Sequence, residues 1–122
     1  MSRDERRAAR DLGARAEGLV CDVLRGRGYA ILGTNVRVGR AEIDIVARRG
    51  RLLAFCEVRA RSGPGGPHPL ETIDAAKQRR LRRAAIAWAM QAAMRGHAIR
   101  LDAAAVTFDG AAPIVDYRED AF

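Results

Sequence analysis

The feature that most restricts this chain's fold is a pair of apolar runs joined by one tight basic turn. Residues Ala41 to Arg48 alternate apolar and polar side chains, and Leu52 to Ala60 stay almost continuously apolar until Glu57. Alternation at period two marks a strand with one buried face, whereas a short run apolar on both faces belongs in the middle of a sheet. The intervening Arg48-Arg49-Gly50-Arg51 is a turn, so the two runs are predicted to form a hairpin with a central second strand. Such a strand needs a packing layer on each side.

The rest of the chain supplies those layers. Asp4 to Arg27 contains no proline and repeats Leu12, Ala16, Leu19, Val23 and Leu24 at helical spacing, with Gly26 and Gly28 as stop signals. A second helix is predicted from Thr72 to Arg95, with Leu81, Ala84, Ala85, Trp88 and Ala92 on its buried stripe and Gly96 beyond its end. Tyr29 to Val36, Ala98 to Phe108 and Ile114 to Tyr117 read as further strands, the last two separated by the turn Asp109 to Pro113. Ser62 to Pro69 holds three Gly and three Pro, which exclude regular structure and predict a mobile loop at one edge of the fold. The 122 residues form one domain, 1–122, of α/β class, with a mixed central sheet flanked by helices. Area scaling for this size gives a folded surface of roughly 6,500 Å².

Charge narrows the partners. Lys and Arg number 22 against 15 acids, a net charge of +7, and Lys77 is the only lysine. Guanidinium groups fork onto phosphate oxygens and stay protonated, so nucleic acid is the expected partner, although GC-rich codons also favour Arg and Ala. No apolar run approaches the ~20 residues of a membrane span, and the charged start lacks the apolar stretch of a signal peptide. The expected location is therefore cytoplasmic, with no membrane partner. Cys21 and Cys56 lie in apolar segments without metal spacing and are expected as buried reduced thiols. With only His68 and His97 besides, they do not suit a zinc cage.

Against this basic background, Glu42, Asp44 and Glu57 fall inside apolar strands, where an ionised group is costly unless paired or metal-bound. A two-residue turn at Arg49-Gly50 pairs Glu42 with Glu57 and Asp44 with Phe55, leaving Asp44 diagonal to Glu57. Any loop of even length keeps them on one face. Diagonal neighbours stand ~7–8 Å apart at the backbone, within reach of a shared ion. Carboxylates pressed together repel unless a cation neutralises them, and an all-oxygen set suits Mg²⁺ or Mn²⁺. Arg59 projects from the same face. The bland alternative, each acid paired with one of the many arginines, suits Glu42 best.

These residues also carry a family resemblance. Gly13-Ala14-Arg15-Ala16-Glu17, Ala30-Ile31-Leu32-Gly33-Thr34-Asn35-Val36-Arg37, Ala41-Glu42-Ile43-Asp44-Ile45-Val46-Ala47 and Ala54-Phe55-Cys56-Glu57-Val58-Arg59-Ala60-Arg61 occur in that order. Together they resemble the YraN (UPF0102) family, with its patterns GxxxE, ILxxNxR, GEIDLIA and FVEVKxR. Lys77-Gln78-Arg79-Arg80-Leu81, Arg100-Leu101-Asp102 and Asp120-Ala121-Phe122 extend the likeness over nearly the whole chain. That family is similar to the PD-(D/E)XK nucleases, whose restriction-endonuclease-like core is αβββαβ. The resemblance implies Asp44 and Glu57 as metal ligands, Glu17 as an additional acid and Gln78 as an active-site polar group. It also implies a metal-dependent endonuclease hydrolysing phosphodiester bonds in DNA, with branched or flapped structures among its candidate substrates.

Two departures bear on that expectation. Ala41 replaces the glycine before the acidic motif, and Arg59 stands where the nuclease motif has lysine. Arg59 can orient water or stabilise transition-state charge but cannot take a proton, so Lys77 is a candidate replacement. The alternative is a catalytically weak or inactive nucleic-acid-binding module on the same fold. An adaptor for protein or RNA is a third class, in which paired strand acids have no role. Lys77, Arg79, Arg80, Arg83 and Arg61 are the expected phosphate contacts, on DNA first and RNA second, and Arg82 shares their helix. Neutralising five phosphates predicts a log-log salt slope of about −4.5 on duplex DNA. A homodimer is a further partner compatible with the sequence. Trp88 is expected in the core, His68 as an ordinary exposed histidine and Asp102 with Arg100 as a strand-end ion pair; Tyr29 and Tyr117 are undecided.

Overall fold

A capping box begins the first helix. In the computed structural model, which describes residues 1–63 and 65–122 with every side chain except that of Ala92, the Glu5 amide donates to the Ser2 hydroxyl at 3.1 Å and the Ser2 amide to Glu5 Oε1 at 3.3 Å. Two of the helix's orphan amide donors are thereby satisfied. Helix α1 (Arg3–Gly26) buries Ala16, Val20, Cys21 and Leu24. Its first turns lie outside the core, since residues 1–11 are all exposed. This overhang contributes to a surface of 7225 Å², larger than a sphere-like domain of this length would have.

Strands β1 (Ala30–Val38), β2 (Ala41–Arg49) and β3 (Leu52–Ser62) form an antiparallel meander. Helix α2 (Ala75–Ala89) then crosses over to β4 (Ala98–Phe108), which runs parallel to β3 and pairs antiparallel with β5 (Ile114–Arg118). The spatial order is β1-β2-β3-β4-β5, which puts β3 at the centre as its two apolar faces require. This is the expected α/β arrangement, a mixed sheet between two helices with the αβββαβ order followed by one further strand, β5. Among the described residues, no helix is long and apolar enough to cross a membrane.

Each face of the sheet has its own core. Under α1 lie Ile45, Ala47, Ala54, Cys56, Ala104 and Val106. Under α2 lie Ile43, Val46, Leu53, Phe55 and Leu101, with Trp88 packed edge-on to Phe55 at 5.9 Å between ring centres. Trp88 is thus a core side chain, and Cys21 and Cys56 are buried free thiols as expected.

Two expectations about boundaries need correction. The β2–β3 ladder pairs Arg49 with Leu52, so the turn is Gly50-Arg51 and the register is shifted by two residues from a turn at Arg49-Gly50. Gly50 has φ +60 and Arg51 is not among the positive-φ residues, the pattern of a type II′ hairpin turn, which wants glycine first. The second helix is also shorter than Thr72 to Arg95. Asp74 caps it, accepting the Lys77 amide at 2.8 Å, while Pro69–Thr72 forms a separate 3-10 turn. At the other end the Gln91 side chain donates to the Trp88 carbonyl at 3.1 Å, and Ala92–Met94 forms another 3-10 turn. The place of Ala92 on the buried stripe lies outside the described side chains.

Candidate active site

The site begins where a ladder ends. The β2–β3 pairing stops at Ile45 with Cys56, whereas β1–β2 continues to Val38 with Ala41 and β3–β4 to Ser62 with Phe108. Asp44 and Glu57 are the next residues on their strands. Ile43 and Ile45, two positions apart, lie in opposite core layers, so the pleat of β2 is broken at Asp44. In place of a backbone partner, the Val58 amide donates to Asp44 Oδ2 at 2.8 Å. A carboxylate thus closes the ladder, and the acids are nearer opposed than diagonal.

Glu57 is 5% exposed. Its Oε1 lies 3.6 Å from Arg59 Nη2 and 3.6 Å from Lys77 Nζ, while its buried Oε2 has no hydrogen-bond partner among the described residues. The Arg59 Nε is orphaned in the same way. Glu57 also lines an otherwise apolar void of about 10 Å³ among Ile43, Phe55, Leu81 and Phe122. Burial, then the adjacent Asp44, push the Glu57 carboxyl up to about 7, against the opposing pull of Lys77 and Arg59. Asp44 is also raised, chiefly by burial, with the Val58 amide the main opposing influence.

Glu17 approaches from α1. Its Oε1 accepts from Asn35 Nδ2 at 3.0 Å, and partial burial raises its carboxyl, with Asp44 and Glu42 adding like charge. Asp44, Glu57, Arg59 and Lys77 are therefore brought together, with Glu17 close enough to Asp44 for their like charges to be felt. Glu42 is not part of it: the expected Glu42–Glu57 pairing is absent, and Glu42 lies on the surface 3.7 Å from Arg37. Gln78 faces elsewhere, donating to the Ile73 carbonyl at 3.1 Å and lining a cleft of about 660 Å³ between the 3-10 turn at Pro69 and the last residues of the chain. Among the described residues, no three His, Cys, Asp or Glu side chains form a cage that could hold a metal ion.

Arg79, Arg80 and Arg83 are exposed on α2, with no acid in ion-pair reach among the described residues. Arg80 and Arg83 face Arg40 across a groove of about 320 Å³ beside the β1–β2 turn. Arg61 is occupied by the Thr107 hydroxyl at 3.2 Å and the Pro67 carbonyl at 3.4 Å, and Arg82 by the Phe122 carbonyl at 2.6 Å.

Other polar residues have larger structural roles than their sequence context indicates. Asp102 pairs with Arg100 as expected, but it is fully buried inside β4 and not at a strand end. It binds Arg100 Nε at 2.7 Å and Arg100 Nη2 at 2.8 Å, and accepts from the Tyr117 hydroxyl and the Asp120 amide. The same guanidinium donates to the Tyr29 hydroxyl at 2.8 Å, so both tyrosines belong to this network. Burial raises the Tyr117 hydroxyl far above its ordinary value. His68 is likewise engaged, with Nδ1 accepting the Leu70 amide and Nε2 3.2 Å from Asp116. Asn35 and Asp102 are what sequence reasoning missed. An asparagine inside a strand run, two residues after Gly33, signals a left-handed backbone; nothing local signals the convergence on Asp102.

Fold and site together define a mixed α/β protein with a carboxyl pair, one member buried and one half-buried, at the opened end of its central hairpin. Residues 16–106 match the family described as "Uncharacterised protein family UPF0102", and the chain belongs to that family. It is 40% identical over 111 residues to a UPF0102 protein of Anaeromyxobacter dehalogenans, covering 91% of this chain and 83% of the relative. A Sorangium cellulosum UPF0102 protein is 47% identical over 104 residues, 83% of this chain and 72% of that one. One from Geobacter metallireducens is 36% identical over 114 residues, 93% of each.

Proposed function

We propose that this protein is a divalent-cation-dependent phosphodiesterase acting on nucleic acid, with DNA as its substrate class. The observation that carries the reading is the pair of half-buried Asp44 and buried Glu57, whose Oε2 is without a partner among the described residues and whose Oε1 lies 3.6 Å from the chain's only lysine. Two carboxylates suit Mg²⁺ or Mn²⁺, which commonly bind through one or two acids and complete their shell with water and phosphate oxygens. The raised carboxyls fit the same purpose, because a neighbouring cation favours the ionised form that burial opposes.

Asp44 and Glu57 would hold the ion, and the Val58 amide fixes the Asp44 carboxylate in place. When bound, the ion supplies Lewis acidity that acidifies water and offsets phosphate charge. Lys77 and Arg59 hold Glu57 Oε1 from two sides. Lys77, a compact donor beside Glu57, is the candidate for orienting the attacking water. Arg59 stabilises charge on the phosphate, and Arg79, Arg80 and Arg83 hold the backbone of the bound strand.

The test uses purified protein with labelled linear, nicked and branched DNA in Mg²⁺, Mn²⁺ or EDTA. Metal-dependent cutting that disappears in both Asp44→Asn and Glu57→Gln is expected. Binding without cutting by the wild type would instead identify a nucleic-acid-binding module, and cutting that survives both substitutions would identify a contaminant.

A further inference from the structure

The middle of β1 is deformed at one point. The register slips between Ile31 and Gly33, with Leu32 as the extra residue. A Cβ on Gly33 would lie 2.9 Å from Val36 Cγ2, so the strand folds closely upon itself there. Asn35, between them, has φ +51. Only glycine enters this left-handed region freely, and asparagine is among the few other residues that do so readily. Asn35 falls between the Thr34–Ile45 and Val36–Ile43 pairs, which places it across from Asp44. The distorted backbone carries its side-chain amide to Glu17 on α1, 18 residues away in sequence.

We propose that Asn35 is a positioning residue for the cation site. Its amide holds one oxygen of Glu17 beside Asp44, the residue that Asn35 faces across the ladder, and so brings a further acid into the neighbourhood of the pair. The assignment rests on the divalent-cation reading above. Three acids do not form a direct cage among the described residues, so Glu17 acts through the water shell that Mg²⁺ and Mn²⁺ retain. A group that orients a ligand in this way tunes affinity without touching the metal, commonly by about 10–100-fold.

The experiment titrates Mn²⁺ into the full chain and reads the free ion by electron paramagnetic resonance. Wild type, Asn35→Gly, Glu17→Gln and the double variant are compared, with folding checked by circular dichroism. Glycine accepts the left-handed backbone, so Asn35→Gly removes the amide and leaves the strand's shape. Asn35→Asp tolerates the same backbone and replaces the donor by a charge, which provides a second variant if the first fails to fold. Each single substitution is expected to weaken Mn²⁺ binding by about tenfold or more. The double variant is expected to bind no worse than Glu17→Gln alone, because Asn35 works through Glu17. Wild-type affinity in the Asn35 variants, or losses that add in the double variant, overturns the positioning role while the acid pair stands. A wild-type chain that takes up no Mn²⁺, or uptake that persists in Asp44→Asn with Glu57→Gln, overturns the cation reading and the role of Asn35 with it.

Discussion

Glu57 lies under opposing influences: two cations beside one oxygen, and apolar surroundings with no partner for the other. Its carboxyl, raised from 4.5 to about 7, has a direct consequence for stability. Between those values the folded chain keeps a proton that the unfolded chain has released, so stability falls as pH rises through this window and levels off above it. Glu57→Gln removes the effect. Its thermal midpoint is expected to match the wild type at about pH 4 and to exceed it by several degrees at about pH 8, both without metal. Equal midpoints at the higher pH would show that Lys77 and Arg59 fully offset the burial. At the same scale, Lys77→Gln is expected to slow cleavage by about 10²-fold or more, whereas Arg59→Lys leaves it unchanged or faster. Single-turnover rates on labelled DNA check both. The acids were legible in the sequence because a charge inside an apolar strand demands a reason. The contact of Asn35 with Glu17 was not, because it depends on a backbone angle and on a helix 18 residues distant.

At the scale of elements, parity preserved the site where register was misread. The basic turn allows a two-residue loop at Arg49-Gly50 or at Gly50-Arg51, and glycine's positive φ selects the second. Both choices are even, so Asp44 and Glu57 stay together and only their spacing changes. The length of α2 was misread because apolar periodicity continues past both ends, while Asp74 and the Gln91 side chain decide where the helix starts and stops. The Asp102 network ties β4 to the last strand and the residues after it. Asp102→Ala would leave Arg100 without its carboxylate and free the Tyr117 hydroxyl and the Asp120 amide. The expected cost is about 3–5 kcal/mol in denaturant unfolding. Amide exchange should accelerate first in β5, and uniform acceleration across the sheet would contradict this.

For the molecule as a whole, the net charge of +7 matters through its distribution. Arg61 and Arg82 are engaged within the protein, whereas Arg79, Arg80 and Arg83 on α2 have no ion-pair partner among the described residues, with Arg40 across the groove. Replacing Arg80 and Arg83 together by Ala is expected to make the log-log salt slope of duplex binding shallower by about 1.8, similarly for unrelated sequences. Filter binding across a salt series measures it, and an unchanged slope would place the phosphates on another face. The architecture itself was legible because β3 is apolar on both sides and can only be central. Which arginines remain free depends on acceptors from distant segments and could not be read in advance. One consequence concerns the family's divergence. Since Asp44 replaces a main-chain acceptor for Val58, a relative without a carboxylate at this position would still need an acceptor there to keep its seam shut. Asparagine could serve in such a lineage, whereas alanine would unzip the hairpin.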